Sequence, residues 1–262
     1  MGLFPIKPRG ELQPFELQRG CVTARLHPRV GPELSSGWLA RPAALVAASP
    51  GKEPWRGPSP DGAWFVKRRM GARGQRALER SFTRGLELEE TGLAVPVHMA
   101  TLHDHRSGAT FLLTEFISGE DLDEALTSRD AAERDELVTR LAKLVAELHA
   151  AGFRQRDLKA PNLRVSLENT PVLVDLEGVH RGASPRRREK DLGRLAASFL
   201  LLESRPESGV NEADWRRLLD AYARHFRELG GPEPSLEALF LRTRAHGRAK
   251  LAKHARQGRP SR

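Results

Sequence analysis

Two aspartates and an asparagine stand in a pattern that could bind a metal ion and move a proton. Asp157 and Asn162 lie five positions apart in the stretch GFRQRDLKAPNLRV, and Asp175 follows in VLVDLEG. Carboxylate and carboxamide oxygens suit a hard cation such as Mg²⁺, whose other ligands are usually phosphates and water. A carboxylate beside such an ion can accept a proton from a hydroxyl group. Together these groups have the chemistry that phosphoryl transfer requires.

The segments around these residues indicate how they would meet. The stretch 131–150, AAERDELVTRLAKLVAELHA, has apolar residues at helical spacing, and LRVSLENTPVLVD predicts a hairpin with its turn at ENTP. Asn162 precedes the first strand of this hairpin, and Asp175 ends the second. Because antiparallel strands return the chain to its starting point, we expect these two side chains to lie side by side. Asp157 is expected in the loop that follows the long helix.

The first 117 residues have a different character from the rest. AWFVKRR predicts a strand with Lys67 near its end, and the helical spacing of RGQRALERSFTRGLELEETG stops at Gly92. RPAALVAAS predicts another strand, and VPVHMATLHDHRSGATFLLTEFISG predicts two strands around the turn DHRSG. We therefore expect a small sheet with one helix in residues 1–117 and a mainly helical part in residues 118–262. Helices there are expected in DLGRLAASFLLL and, capped by Asn211, in NEADWRRLLDAYARHFREL.

Composition favours a protein of the reducing cytosol that meets anionic partners. The chain of 262 residues has a net charge of +9 and one cysteine, Cys21, which excludes a disulfide framework. No apolar run approaches the roughly 20 residues of a membrane-spanning helix, and the N-terminus lacks the apolar core of a secretory signal. We expect a cytoplasmic location, with contact between the basic tail at 242–262 and the inner face of the cytoplasmic membrane as a further option. The lack of interleaved aromatic and basic residues disfavours nucleic acid.

Three motifs resemble those of kinases in order and in spacing. RDLKAPN resembles the kinase catalytic loop, VDLEG resembles the segment with the metal-binding aspartate, and WFVKRR resembles the strand with the phosphate-binding lysine. The step of 13 residues from Asn162 to Asp175 matches the usual kinase step. ETGLAVPVHMA, AELHAAGFRQRDLKAPNLRV and the short distance from Asp175 to Asp191 are most similar to the bacterial lipopolysaccharide kinases, the heptose and Kdo kinases.

This resemblance implies an α+β, two-lobed protein-kinase-like fold. The N-lobe would be a small antiparallel β-sheet with one helix, and the C-lobe would be mainly α-helical. The implied activity is ATP-dependent phosphorylation of a sugar hydroxyl of lipopolysaccharide core or a related glycolipid, with Mg²⁺. ATP and an anionic glycolipid or sugar acceptor are therefore the expected partners.

The resemblance also implies a role for each residue of the catalytic loop and of the segment that follows it. Asp157 would orient the acceptor hydroxyl and take its proton, and Lys159 would contact the γ-phosphate. Asn162 and Asp175 would hold Mg²⁺.

The remaining contacts with ATP would come from the first part of the chain and from the connection TEFISG. Lys67 would hold the α- and β-phosphates. A helix glutamate would pair with Lys67, with Glu79 as the first choice and Glu87 as the second. Glu115 and Ile117, in the connection, would contact the nucleotide.

Several departures from the kinase pattern leave other functions open. Gln155 replaces the histidine that usually braces the catalytic loop, and no glycine-rich phosphate loop is present. The irregular segment around Gly51 and Gly57 would have to cover the phosphates instead. Glu177 stands where protein kinases have glycine, but the resemblance to lipopolysaccharide kinases, which often carry an acid there, accounts for it. The alternatives are a catalytically weak, regulatory kinase-like protein and a kinase that acts on a protein or a small molecule. The basic run GASPRRREK, at 182–190, is either a solvated loop or part of an anionic acceptor site.

Overall fold

The computed structural model describes residues 14–19, 21–28, 55–58, 64–232 and 235–256. The chain divides into two compact units, Met1–Phe116 and Ile117–Arg262. The strand expected in RPAALVAAS and Gly51 of the expected phosphate cover lie outside the described residues, whereas Gly57 of that cover lies in a regular strand, Trp55–Pro58. Among the described helices, none is long and apolar enough to cross a bilayer.

The first unit contains an antiparallel sheet of six strands in the order β1-β2-β5-β6-β4-β3. The expected pair of strands around DHRSG is present as β5 and β6, with Asp104 paired to Ala109 at the turn. The strands are β1 Phe15–Arg19, β2 Val22–Leu26, β3 Trp55–Pro58, β4 Trp64–Met70, β5 His98–Asp104 and β6 Ala109–Glu115.

Helix α1, Gly71–Glu90, covers one face of this sheet. Its residues Leu78, Phe82 and Leu86 recur at helical spacing and form an apolar cluster with Leu112 of β6. Lys67 of β4 pairs in register with Leu112 and so shares its face of the sheet. Lys67 is buried on this face, with 8% of its surface exposed. Lys67 is therefore held between α1 and the sheet and is not a solvated surface lysine.

The second unit is mainly helical and has two small sheets. The expected hairpin is present: β9 and β10 pair with Leu163 opposite Leu173, and Asn169 in the turn adopts the left-handed conformation that asparagine tolerates. The helices are α2 Leu122–Ser128, α3 Ala131–Ala150, α4 Pro185–Glu203, α5 Glu212–Glu228 and α6 Leu236–Arg256. The strands are β7 Gly119–Asp121, β8 Phe153–Gln155, β9 Leu163–Ser166, β10 Pro171–Leu173 and β11 Val179–Arg181.

Two helix starts show how local chemistry sets the bounds of the elements. Asn211 caps α5 as expected, because its side chain accepts a hydrogen bond from the amide of Ala213 at 2.8 Å. The interpretation of the basic run at 182–190 as a loop is wrong, because α4 already begins at Pro185. Proline is favoured in the first turn of a helix, where its missing N–H leaves no intrahelical bond unmade. The mixed α+β architecture that the sequence predicts is thus confirmed.

His98 shows how closely α1 packs on the sheet. A Cβ atom at Gly85 would lie 2.2 Å from the ring of His98, so only glycine fits at this point of the helix. The imidazole Nδ1 lies 2.8 Å from the carbonyl oxygen of Pro96, which can only accept, so Nδ1 carries the proton. Burial lowers the pKa of His98 from 6.5 to about 4.

We expect acid to destabilise the protein through His98. The folded chain keeps this imidazole neutral, whereas the unfolded chain protonates it below pH 6.5. The stability that depends on neutral His98 is therefore present above pH 6.5 and is lost as the pH falls towards 4. Urea unfolding should show that wild type loses about 2 kcal/mol more than His98→Asn between pH 7 and pH 5. Equal losses in the two proteins would contradict this explanation.

Candidate active site

The side chain of Gln155, at the end of β8, joins the two segments that carry the sequence-predicted aspartates. Its Oε1 accepts a hydrogen bond from the backbone amide of Asp157 at 3.1 Å, and its Nε2 donates to the backbone carbonyl of Asp175. Gln155 is fully buried. A Cβ atom at position 178 would lie 2.0 Å from Oε1, so Gly178 leaves the room that this amide needs. Gln155 thus uses both ends of its amide to hold Asp157 and Asp175 in one place.

Asp157, Lys159 and Asn162 form one cluster in the loop after β8. Asn162 donates from Nδ2 to the backbone carbonyl of Asp157 at 2.7 Å and to its carboxylate Oδ2 at 3.2 Å. The ammonium of Lys159 lies 3.0 Å from the same carboxylate oxygen. Asn162 is buried, in a short 3-10 helix of residues Ala160–Asn162. Because its donor end is turned towards Asp157, the amide oxygen is the atom that could bind a cation.

Asp175 follows β10 and begins a second short 3-10 helix, Leu176–Gly178. Its carboxylate Oδ1 accepts a hydrogen bond from the amide of Glu177 at 3.2 Å. The amide of the preceding residue, Val174, donates to the carbonyl of Asn162 at 3.1 Å, so the strand pairing continues to this point. The hairpin and the Gln155 bridge together bring Asp157, Asn162 and Asp175 to the same end of the second unit.

Two side chains of helix α4 hold this loop through hydrogen bonds to its backbone. The buried carboxylate of Asp191 accepts from the backbone amide of Gln155 at 3.0 Å and from Arg194 at 3.0 Å. Ser198 lies two turns further along and accepts from the amide of Ala160 at 3.0 Å. Asp191 is therefore a buried charge that is paired and hydrogen-bonded, as buried charges must be.

His149, in the last turn of α3, lies next to Asp191. One ring nitrogen lies 2.9 Å from the hydroxyl of Tyr222, and the other lies 3.7 Å from the carboxylate of Asp191. Burial lowers the pKa of His149, and the carboxylate of Asp191 opposes that shift only in part. A neutral imidazole therefore packs behind the loop.

In the first unit, the structure does not bring Glu79 to Lys67. Glu79 accepts a hydrogen bond from Gln75 at 2.8 Å and lines a shallow depression together with Arg25. The row Arg25, Thr101, Leu112, Lys67 crosses four adjacent strands, β2, β5, β6 and β4. At about 4.8 Å per strand, Arg25 and Lys67 are about 14 Å apart. Glu79 thus lies on the β2 side of α1, and Lys67 lies on the β4 side.

The second choice for the partner, Glu87, forms an ion pair with Arg84 and lines the same depression. The two residues of the TEFISG connection have backbone roles within their own units. The amide of Glu115 donates to the carbonyl of Val97 at 2.8 Å, and the carbonyl of Ile117 accepts from Arg164 at 3.1 Å. These backbone hydrogen bonds of Glu115 and Ile117 could not be predicted from the positions of the two residues in the sequence.

Two of the supporting residues were missed or undervalued by sequence reasoning. Gln155 was counted as a departure, although an amide offers one donor and one acceptor on opposite ends, as a neutral imidazole does. The role of Ser198 could not be predicted from the sequence, because no pattern in a helical stretch indicates that a hydroxyl accepts a hydrogen bond from a loop residue 38 positions earlier. The role of Gln155 could have been predicted from the hydrogen-bonding groups of its amide, whereas the role of Ser198 could be found only from the packing of α4.

The comparisons with known proteins address the resemblance directly. A profile described as the lipopolysaccharide kinase (Kdo/WaaP) family matches residues 73–222. This segment includes Asp157, Lys159, Asn162 and Asp175, and it begins after Lys67. The comparison with curated proteins gave no match. Because the profile covers more than half of the chain and the α+β fold agrees with a two-lobed kinase, the chain belongs to the lipopolysaccharide kinase (Kdo/WaaP) family.

Proposed function

We propose that this protein is an ATP-dependent phosphotransferase that phosphorylates a sugar hydroxyl of lipopolysaccharide core or a related glycolipid. Family membership supports a kinase, and kinases use ATP as the phosphoryl donor. The observation that favours an active enzyme over a catalytically weak protein is the bonding of Gln155 to the Asp157 amide and to the Asp175 carbonyl. This bridge supports a working catalytic loop in spite of the missing histidine.

Asp157 is the proposed base. Its side chain is 53% exposed, while one of its carboxylate oxygens is held by Asn162 and Lys159. A carboxylate that is fixed on one side and open on the other can orient an incoming hydroxyl. In the proposed reaction the acceptor oxygen bonds to the γ-phosphorus, the bond from that phosphorus to the bridging oxygen of ADP breaks, and the acceptor proton passes to Asp157. Lys159 would stabilise the negative charge on the transferred group.

Asn162 and Asp175 are the proposed Mg²⁺ ligands. The donor set fits, because carboxylate and carboxamide oxygens are ligands that Mg²⁺ accepts, and the Asn162 amide turns its nitrogen away towards Asp157. A bound Mg²⁺ would neutralise phosphate charge. Hydrogen bonds hold both ligands beforehand, and Asn162 is also buried, so the chain would not have to order them on binding.

Lys67, Glu115 and Ile117 remain the proposed contacts with the rest of ATP. The buried position of Lys67 in β4 supports a fixed phosphate contact, because lysine is seldom buried without a specific role. Glu79 is left out of this proposal, since it lies on the opposite side of α1.

The proposed acceptor is anionic. Arg186 and Arg187, in the first turn of α4, are exposed and could meet it. Arg188 has a different position, because its guanidinium lies 4.6 Å from the centre of the Phe226 ring. Two of the three arginines in the basic run are therefore exposed to solvent. Contact with an acidic membrane surface and an acceptor that is a protein or a small molecule remain alternatives.

We expect γ-labelled ATP with Mg²⁺ to transfer its label to a deacylated lipopolysaccharide core. Asp157→Asn should lower this transfer by about 10²- to 10⁴-fold, because the general base is lost. The same assay should include a panel of proteins and aminoglycosides as acceptors. Label on those acceptors alone would favour the alternative acceptor classes. No transfer to any acceptor would favour the regulatory, catalytically weak protein.

Substitutions of the two aspartates are expected to affect Mg-ATP affinity and turnover differently. Asp175→Asn removes a proposed Mg²⁺ ligand and should weaken Mg-ATP binding as well as turnover. Asp157→Asn leaves both proposed ligands and should keep Mg-ATP affinity within about twofold, because the base does not contact the ion. Calorimetric titration with ATP in the presence and absence of Mg²⁺ measures both. An equal loss of affinity in the two variants would show that the roles are wrongly assigned.

A further inference from the structure

Arg164 lies in the central strand of a three-stranded sheet, two residues after Asn162. The strands of this sheet have the order β10-β9-β7. On one side of β9, strand β10 leads to Asp175, and on the other side β7 begins at Gly119, the last residue of the TEFISG connection. All of these residues belong to the second unit. Strand β9 therefore lies between the connection and the segment that carries Asp175.

The guanidinium of Arg164 is bonded to three acceptors of the connection and of the strand that follows it. Its Nε donates to the carbonyl of Ile117 at 3.1 Å, and its Nη2 donates to the carbonyl of Gly119. Its Nη1 forms an ion pair with the carboxylate of Asp121 at 2.8 Å. Arginine can make these bonds together because its donors lie in one rigid plane. One side chain thus holds three positions of the stretch 117–121.

The backbone of β7 lies directly against β9 at Gly119. This residue has φ +141°, and a Cβ atom there would lie 1.9 Å from the carbonyl oxygen of Val165, so only glycine fits. The pairing of the two strands runs from Gly119 opposite Ser166 to Asp121 opposite Arg164. Ile117 precedes the first paired residue by two positions. The bond from Arg164 therefore extends the attachment of the connection beyond the sheet, to Ile117.

We propose that Arg164 is a positioning residue for ATP, which sets the spacing between Ile117 and Asn162. The inference rests on the proposed function, in which Ile117 contacts the nucleotide and Asn162 holds Mg²⁺. Because the guanidinium is bonded to three acceptors of the chain, Arg164 acts through Ile117 and not as a phosphate contact. Without these bonds, ATP would have to order the connection as it binds, and that ordering would cost affinity.

Arg140 of α3 provides a matched control at the other end of the same hairpin. Its Nη1 donates to the carbonyls of Glu168 at 3.2 Å and Asn169 at 3.1 Å, both in the turn between β9 and β10. Its Nη2 forms an ion pair with Glu136. Arg140 and Arg164 therefore each bond two backbone carbonyls and one carboxylate, but only Arg164 bonds the connection.

The test measures binding of Mg-ATP and of Mg-tripolyphosphate, which lacks the nucleoside, by calorimetry. Arg164→Gln should weaken Mg-ATP binding about five- to tenfold. It should leave Mg-tripolyphosphate binding within about twofold of wild type, because Asn162 and Asp175 are retained. Arg140→Gln should change neither affinity. Arg164→Lys should recover only part of the Mg-ATP affinity, because an ammonium keeps the charge but not the planar set of donors.

The outcomes separate this inference from the proposed function. Wild-type protein that does not bind Mg-ATP would contradict the proposed function itself. Wild-type binding of Mg-ATP that Arg164→Gln leaves unchanged would overturn the positioning role alone. An equal loss for both ligands in Arg164→Gln would also overturn it, because general damage to the second unit would then explain the effect. Full recovery in Arg164→Lys would show that Arg164 acts by its charge and would contradict the proposal.

Discussion

The side-chain amide of Gln155 is the contact on which the candidate active site depends. Its oxygen accepts from the Asp157 amide and its nitrogen donates to the Asp175 carbonyl, so one side chain fixes the distance between the base and the second proposed metal ligand. Gln155 is fully buried, and an unmade hydrogen bond there would cost about 1–3 kcal/mol. The backbone amide of the same residue is held by Asp191, which ties this end of the site to α4.

A glutamine in this place has a chemical consequence. Histidine provides one donor and one acceptor only while it is neutral, whereas the amide of Gln155 provides both at every pH. The bridge between the two segments should therefore survive mild acid better than an imidazole bridge would. The cost is steric, because the longer side chain needs the open space at Gly178, where a Cβ atom would lie 2.0 Å from Oε1.

Much of the second unit could be predicted from sequence because its signals are local. The hairpin followed from alternating apolar residues around a turn, and its register then fixed the neighbourhood of Asn162 and Asp175. Features set by packing between distant segments could not be predicted. Glu79 lies on the wrong side of α1 for Lys67 because the rotation of that helix depends on how Leu78 and Phe82 pack on the sheet. The packing of α6 on α4 depends on Gly193 and Gly247, and nothing in the sequence identifies these glycines as contact residues.

Hydrogen exchange at the backbone amide of Asp157 tests the central role of Gln155 most directly. In the wild-type chain this amide donates to the buried Oε1 atom and should exchange slowly. Gln155→Met has a similar volume but neither hydrogen-bonding group. The account predicts faster exchange at Asp157 and around Asp175 in this variant, with unchanged exchange in the middle of α3. Unchanged exchange at Asp157, with turnover retained, would show that Gln155 does not hold the site together.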